Sequence, residues 1–397
     1  MKRNALEAIN GLRFFAIIHL ITFHFLAHHR AVFKNEGYWA ELPSFLLQVI
    51  TSGATATGLF FILSGFILTY VYASPDLKQI KGSKSEFFRN RIARIWPLHI
   101  TIMTGLLIFQ GPNAVAGMKQ WLINATLLQT FIPTSVDSWN TPAWAASAMM
   151  LFYVLFPILL RFFAKRSQRS LVLVSLSLIA CNWLLCTGFY HTFEGLSADN
   201  RRLFIASFYY SPVIWLTYFS LGIITGLRLL RSKQEEKITR WSGLRADLML
   251  LAMLTSFLFI GAVPHVYMRH ALFMAFQVVL IGALAHEKGA LAWLCRRSWV
   301  QKLAHASFTM YLLHAPLFTL WTKALRPEGH MPLWGIIGYY GVLFTIAPWL
   351  ENHFVPRGRR LINQLLTPRK PQISPLTGEE TVSQASFPSD TSLKSGA

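Results

Sequence analysis

Arg13 and His24 stand eleven residues apart in "GLRFFAIIHLITFHF", residues 11–25, where nearly everything else is apolar. A buried imidazole that stays neutral near pH 7 can take a proton from an attacking hydroxyl. On a helix, at about 100° and 1.5 Å per residue, the two side chains lie roughly 20° apart on one face and about 16 Å apart along the axis. His28 extends that face by a turn, and His19 points roughly 120° away from Arg13. The stripe runs from a guanidinium at one end to a candidate general base near the other. The same residues also fit a structural reading. In that reading Arg13 reaches to an interface and the histidines bond neighbouring helices.

A second cluster lies in "KGSKSEFFRNRIARIWPLHI", residues 81–100. Arg91 and Arg94 are three apart and share a helical face, with Arg89 and Lys84 nearby. Arginine forks match phosphate bidentately, and a helix N-terminus adds a favourable dipole for an anion. The cluster suits a phosphorylated ligand, or it anchors topology. In "GATATGLFFILSGFILTY", residues 53–70, Gly53, Gly58, Ser64 and Gly65 allow helices to approach closely.

The elements that must position these groups are membrane helices. The chain has 397 residues, 53% hydrophobic and only 14% charged, where soluble proteins carry about 25% charged residues. Its apolar residues come in runs of about 20, the length of a membrane span. The pattern predicts an all-α, polytopic transmembrane helix bundle of ten spans. They fall at about 12–29, 46–73, 95–111, 142–163, 170–190, 208–227, 246–263, 270–286, 304–323 and 333–352. With the N-terminus in the cytoplasm, the outside segments hold only Arg30, Lys34, Lys119, Arg201, Arg202, Arg269, Lys323 and Arg326 of the 37 Lys and Arg. That asymmetry puts both termini in the cytoplasm. It also makes the net charge of +20 a topology signal, with a second use at anionic lipid or ligand, and not a nucleic-acid footprint.

Ionisable groups inside spans are costly and usually functional. They are Arg13, His19, His24, His99 and His314. The 17 acidic residues all fall in loops, in tails or at span ends, Glu351 included. Cys181, Cys186 and Cys295 have neither disulfide nor zinc-ligand spacing. The basic-then-apolar start reads as a retained first span and not as a cleaved signal. "GSKSEFF" is not a phosphate-binding loop. Residues 1–366 form the transmembrane domain, and the Ser/Thr/Pro-rich residues 367–397 read as a disordered cytoplasmic tail.

Together these segments resemble the acyltransferase-3 family of integral membrane O-acyltransferases. "NGLRFFAIIHLITFHF" is similar to the family's opening stretch, with an Arg and a His eleven positions on, here Arg13 and His24. "GLFFILSGFILT" resembles its FFxLSGFLLT signature. "FFRNRIARIWPLH" fits its Arg-x-x-Arg element, here Arg91 and Arg94 followed by Trp96 and Pro97. "WAASAMMLFYVLFPILL" resembles WSLSVExxFYLLFPLLL, and "LAHASFTMYLLHAPL" resembles SYxLYLLHxP, with Ser307, Tyr311, His314 and Pro316. The matches run in order from 10 to 316.

The resemblance implies an enzyme of the bacterial inner membrane. It would move an acyl group, acetyl foremost, from cytosolic acyl-CoA to a hydroxyl of an extracytoplasmic sugar or polysaccharide. Acyl-CoA is a substrate in this scheme, and no metal or resident cofactor is implied. The carried-over roles are His24 and Arg13 in catalysis and Arg89, Arg91 and Arg94 at the acyl-CoA phosphates. Ser64, Gly65, Trp144, Ser147, Met149, Tyr153, Tyr311 and His314 would line the substrate pocket. His24 would act as general base or through a transient acyl-histidine. One position departs: five residues after Trp144 the family pattern has Glu, and this chain has Met149. Asp137 or a water then orients His24, or the enzyme works without such a group, or the chain is a degenerate member that binds without turnover. A transporter or flippase of lipid-linked sugars is the reading from another class.

Overall fold

Long apolar sequences must satisfy their backbone groups internally, and the helix does this within each segment. The computed structural model of the chain describes residues 6–33, 41–110, 117–234, 242–325 and 329–367. The tail expected over 367–397 lies outside these beyond Thr367, as do Lys34 and Arg326 of the charge count. In chain order the helices are α1 (Glu7–Phe33), α2 (Ser44–Thr51), α3 (Ala56–Tyr72), α4 (Lys84–Gln110), α5 (Met118–Ala125), α6 (Trp144–Ala164), α7 (Gln168–Glu194), α8 (Ala198–Tyr209) and α9 (Pro212–Gln234). They continue with α10 (Ser242–Phe257), α11 (His265–Tyr267), α12 (Met274–Leu284), α13 (Ala290–Cys295), α14 (Ser298–His305), α15 (Ser307–Leu325), α16 (Leu333–Trp349) and α17 (Val355–Leu366). Among the described residues the one strand-like pairing is an isolated bridge between Ala73 and Ile80.

Among the described residues, eight helical stretches are long and apolar enough to cross a membrane. They are Glu7–Phe33, Ser44–Tyr72, Lys84–Gln110, Thr141–Ala164, Gln168–Glu194, Asn200–Ser232, His265–Leu284 and Leu333–Leu366. The two further expected spans, near 246–263 and 304–323, fall on α10 and α15. Helix α10 has 16 residues, about 24 Å of helix against a hydrocarbon core of about 30 Å. Helix α15 has 19 residues, and its threonines, His314 and Lys323 dilute its apolar content.

Helix α1 packs against α3, α13, α14 and α15. Helices α3 and α9 touch backbone to backbone. A Cβ on Gly65 would fall 2.1 Å from the Phe219 carbonyl oxygen, and one on Gly222 would fall 2.0 Å from that of Ile62. Small residues permit this approach where apolar side chains have no water to escape from. Gly65 therefore belongs to a helix seam. Two π-helical turns interrupt the regular pitch, Met268–Leu272 before α12 and Leu350–Phe354 between α16 and α17. Such turns are rare and frequently lie at functional sites.

Candidate functional site

A cavity of about 220 Å³ opens between α1, α3, α4, α6 and α15. Of the residues singled out from the sequence, Arg13, Ser64, Arg91, Arg94, Met149, Tyr153, Ser307 and Tyr311 line it. The helical face of α4 explains the arginines: residues three apart point the same way. Arg91 donates from Nη2 to the Tyr72 hydroxyl at 2.7 Å and stacks over Tyr72, with its guanidinium carbon 5.0 Å from the ring centre. Arg94 forms an ion pair with Glu351. Arg89 does not line the cavity, and its Nε is buried without a hydrogen-bond partner.

The sequence reading left Glu351 at the end of the last span; the structure adds that its side chain is buried and paired. It lies within the continuous helical stretch Leu333–Leu366, and only 2% of its surface is exposed. The Thr309 hydroxyl donates to its Oε2 at 2.6 Å, and His305 Nε2 stands 3.8 Å from Oε1. A buried carboxylate is retained when it is paired and hydrogen-bonded, as here. The cavity thus gathers three guanidinium groups, Arg13, Arg91 and Arg94, beside one carboxylate, and its net charge is positive.

His24 and His314 meet on another part of α1. Their Nδ1 and Nε2 atoms are 2.9 Å apart, and the rings stack with centres 5.1 Å apart. His314 Nδ1 also lies 2.7 Å from the Tyr311 carbonyl oxygen. A carbonyl only accepts, so His314 carries its proton on Nδ1 and its Nε2 is an acceptor. His24 must then donate from Nδ1, which leaves a lone pair on its Nε2. Neither histidine lines the cavity. His314 is held firmly. Pro316 has no N–H, which frees the Leu312 carbonyl one turn earlier, and Asn140 Nδ2 fills it at 3.0 Å. The Tyr339 hydroxyl donates to the His314 carbonyl at 2.9 Å.

Other residues marked from the sequence do structural work. His19 Nε2 is 2.6 Å from the Val49 carbonyl and 3.2 Å from Ser52 Oγ. His99 Nε2 bonds the Asn124 carbonyl at 2.8 Å. Ser147 donates to the Leu127 carbonyl at 2.6 Å, where Leu127 has a positive φ of 59°. Trp144 packs in an aromatic cluster with Phe61, Tyr210 and Trp215, its rings tilted or edge-on to theirs. Asp137, offered as a stand-in for the glutamate missing at 149, instead pairs with Arg202 at an exposed position. Met149 is a wall of the arginine cavity, and His24's partner is His314.

Sequence reasoning missed the site partners Glu351, Thr309 and Tyr72. Glu351 did carry a signal, as the one acid in the apolar run "GVLFTIAPWLENHF".

The family model described as an acyltransferase domain, of the acyltransferase-3 type, matches residues 6–351. Acyltransferase MdmB of Streptomyces mycarofaciens is 27% identical over 349 residues, 84% of this chain and 82% of that protein. O-acetyltransferase OatA of Staphylococcus aureus is 22% identical over 349 residues, 83% of this chain. The chain spans about half, 53%, of that relative's length. No solved structure matches the chain.

Proposed function

The chain belongs to the acyltransferase-3 family and is a multi-pass membrane acyltransferase; on that premise we propose that it moves an acetyl group from cytosolic acyl-CoA to a hydroxyl of an extracytoplasmic sugar or polysaccharide. The observation that carries this reading is the His24–His314 pair, whose hydrogen-bond order leaves a lone pair on His24 Nε2. That nitrogen takes the proton of the acceptor hydroxyl as its oxygen attacks the thioester carbonyl. The positive charge on His24 is shared through Nδ1–H with His314. The C–S bond then breaks, and the proton goes to the departing CoA thiolate.

The donor enters at the other end of the α1 stripe. Arg91 and Arg94 take the CoA phosphates, because guanidinium forks bind phosphate in pairs. Arg94 exchanges Glu351 for a phosphate, and Arg13 guides the thioester arm along α1. Arg13 and His24 are about 16 Å apart along the helix, a distance for the extended pantetheine arm to bridge. The neutral walls, Met149 among them, leave the arm in apolar surroundings. A bacterial inner membrane, with the arginine cavity on the cytoplasmic side, gives each substrate its own side.

Membranes carrying the protein, incubated with labelled acetyl-CoA, test the reading. Label should pass to saccharide with the native protein and be lost with Arg91→Ala and with His24→Ala, while both variants still insert. Wild-type transfer by both would refute the assignment.

A further inference from the structure

The reaction as proposed leaves Arg269 unused. Arg269 sits in the π-helical turn Met268–Leu272. That turn packs on the short helical turn Ser52–Thr55, which itself packs on α1. A Cβ on Gly53 would come within 2.4 Å of the His19 carbonyl oxygen and 2.7 Å of Phe23 Cβ. This layering sets the Arg269 turn on the side of α1 that carries His19 and Phe23, the residue before His24.

Its guanidinium lies over three rings, Tyr209 at 5.2 Å, Tyr210 at 5.7 Å and Trp215 at 5.9 Å. The Nε atom is buried without a hydrogen-bond partner. Among the described residues no carboxylate pairs with Arg269. The nearby titratable groups are histidines and tyrosines: His265 bonds Tyr209 at 3.2 Å, and His270 packs on Trp215 at 4.6 Å. Arg269 is half-buried; cation–π contact offsets part of the cost of that partial withdrawal from water, and a charge held within a membrane protein ordinarily has a counter-ion. A guanidinium stacked on rings also keeps its N–H edge in one plane, the geometry that grips a carboxylate or phosphate with two parallel bonds. The counter-ion missing from the protein is then supplied by the ligand.

We propose that Arg269 binds an anionic group on the acceptor, so that the acceptor is an acidic saccharide carrying a carboxylate or a phosphate near the hydroxyl to be acylated. This rests on His24 being the base that the acceptor must reach. The aromatic layer of Tyr209, Tyr210 and Trp215 fixes the guanidinium, and the acidic group anchors the sugar with its hydroxyl towards His24.

The test uses the full-length protein in lipid nanodiscs and measures binding of three probes: p-nitrophenyl β-D-glucuronide, glucose 1-phosphate and the neutral p-nitrophenyl β-D-glucoside. At least one acidic probe should bind about tenfold or more tightly than the glucoside. Arg269→Gln should erase that preference, and Arg269→Lys should keep part of it. Acetyl-CoA binding, at the Arg91 and Arg94 end, should be unchanged in both variants. Preference for the glucuronide alone identifies a carboxylate, and for the phosphate alone a phosphoryl group. The proposal is overturned if the native protein prefers neither acidic probe, or if the preference survives Arg269→Gln. His24→Ala keeps the two questions apart: it should retain the acid preference, and wild-type transfer by that variant would sink the base assignment while leaving the Arg269 result standing.

Discussion

Replacing His314 with Ala removes the acceptor that fixes the tautomer of His24. In the resting enzyme the lost contact is one hydrogen bond of 2.9 Å between neutral rings, worth about 1 kcal/mol. As His24 takes the acceptor's proton, the same bond becomes charge-assisted and strengthens to about 1.5–3 kcal/mol. Only the difference, about 0.5–2 kcal/mol, belongs to the transition state alone. It corresponds to a fall in kcat of about twofold to thirtyfold. KM for acetyl-CoA should not move, because His314 does not line the arginine cavity. His314→Gln offers a carbonyl oxygen in place of Nε2 and should recover part of the rate. Initial rates of labelled acetyl transfer by protein in nanodiscs, at saturating donor, supply the numbers. A kcat within twofold of wild type would refute the tautomer argument. A loss beyond about a thousandfold would equally refute it, by showing that His314 itself handles the reacting atoms.

Three further outcomes follow from the same structure. Glu351→Gln strips Arg94 of its buried partner and should destabilise the fold by about 3 kcal/mol. Met149→Glu in that background should restore part of it, because Met149 and Arg94 face one cavity; thermal unfolding in detergent reads both. Cys295 is buried, and burial, with Glu287 adding to it, pushes its thiol up to about 12. The thiol is raised, so the thiolate is scarce below that value: about one part in ten thousand at pH 8. In a Cys181→Ala/Cys186→Ala background, N-ethylmaleimide should not label the native protein between pH 7 and 9 and should label it after unfolding. Asp137→Asn removes an exposed ion pair worth at most about 1 kcal/mol. Its acetyl-transfer rate should stay within twofold of wild type, and a hundredfold fall would restore Asp137 as the group supporting His24.

Eight of the ten expected spans fall on long apolar helices, legible because an apolar run of about 20 residues has few other uses. The Arg13–His24 stripe was legible because helical periodicity is local. Partnerships across the bundle were not. His24 and His314 are 290 residues apart in the chain, and Arg94 and Glu351 are 257 apart. Such pairings depend on how helices dock, which no local pattern encodes. The burial of Glu351 was not legible because it stands at the edge of an apolar run, and its partners Arg94 and Thr309 come from distant helices. Ser147 and Gly65 were legible as special but not as what they are. A small or hydroxylated residue in a membrane helix serves a pocket or a seam equally well. In the fold Ser147 ties down Leu127 and Gly65 meets Phe219. The question raised by Met149 changes accordingly. The imidazole of His314, and not a carboxylate, supports His24, and the carboxylate of this site, Glu351, serves Arg94.

The central claim is that His24 Nε2 is the base while the arginine cavity holds the donor. The direct test compares His24→Ala with the native protein in nanodiscs, measuring acetyl-CoA affinity and acetyl transfer on the same samples. The account predicts unchanged affinity and a transfer rate lower by about 10²–10⁴-fold, the contribution of a positioned general base. Transfer within tenfold of the native rate, at equal donor affinity, would contradict it.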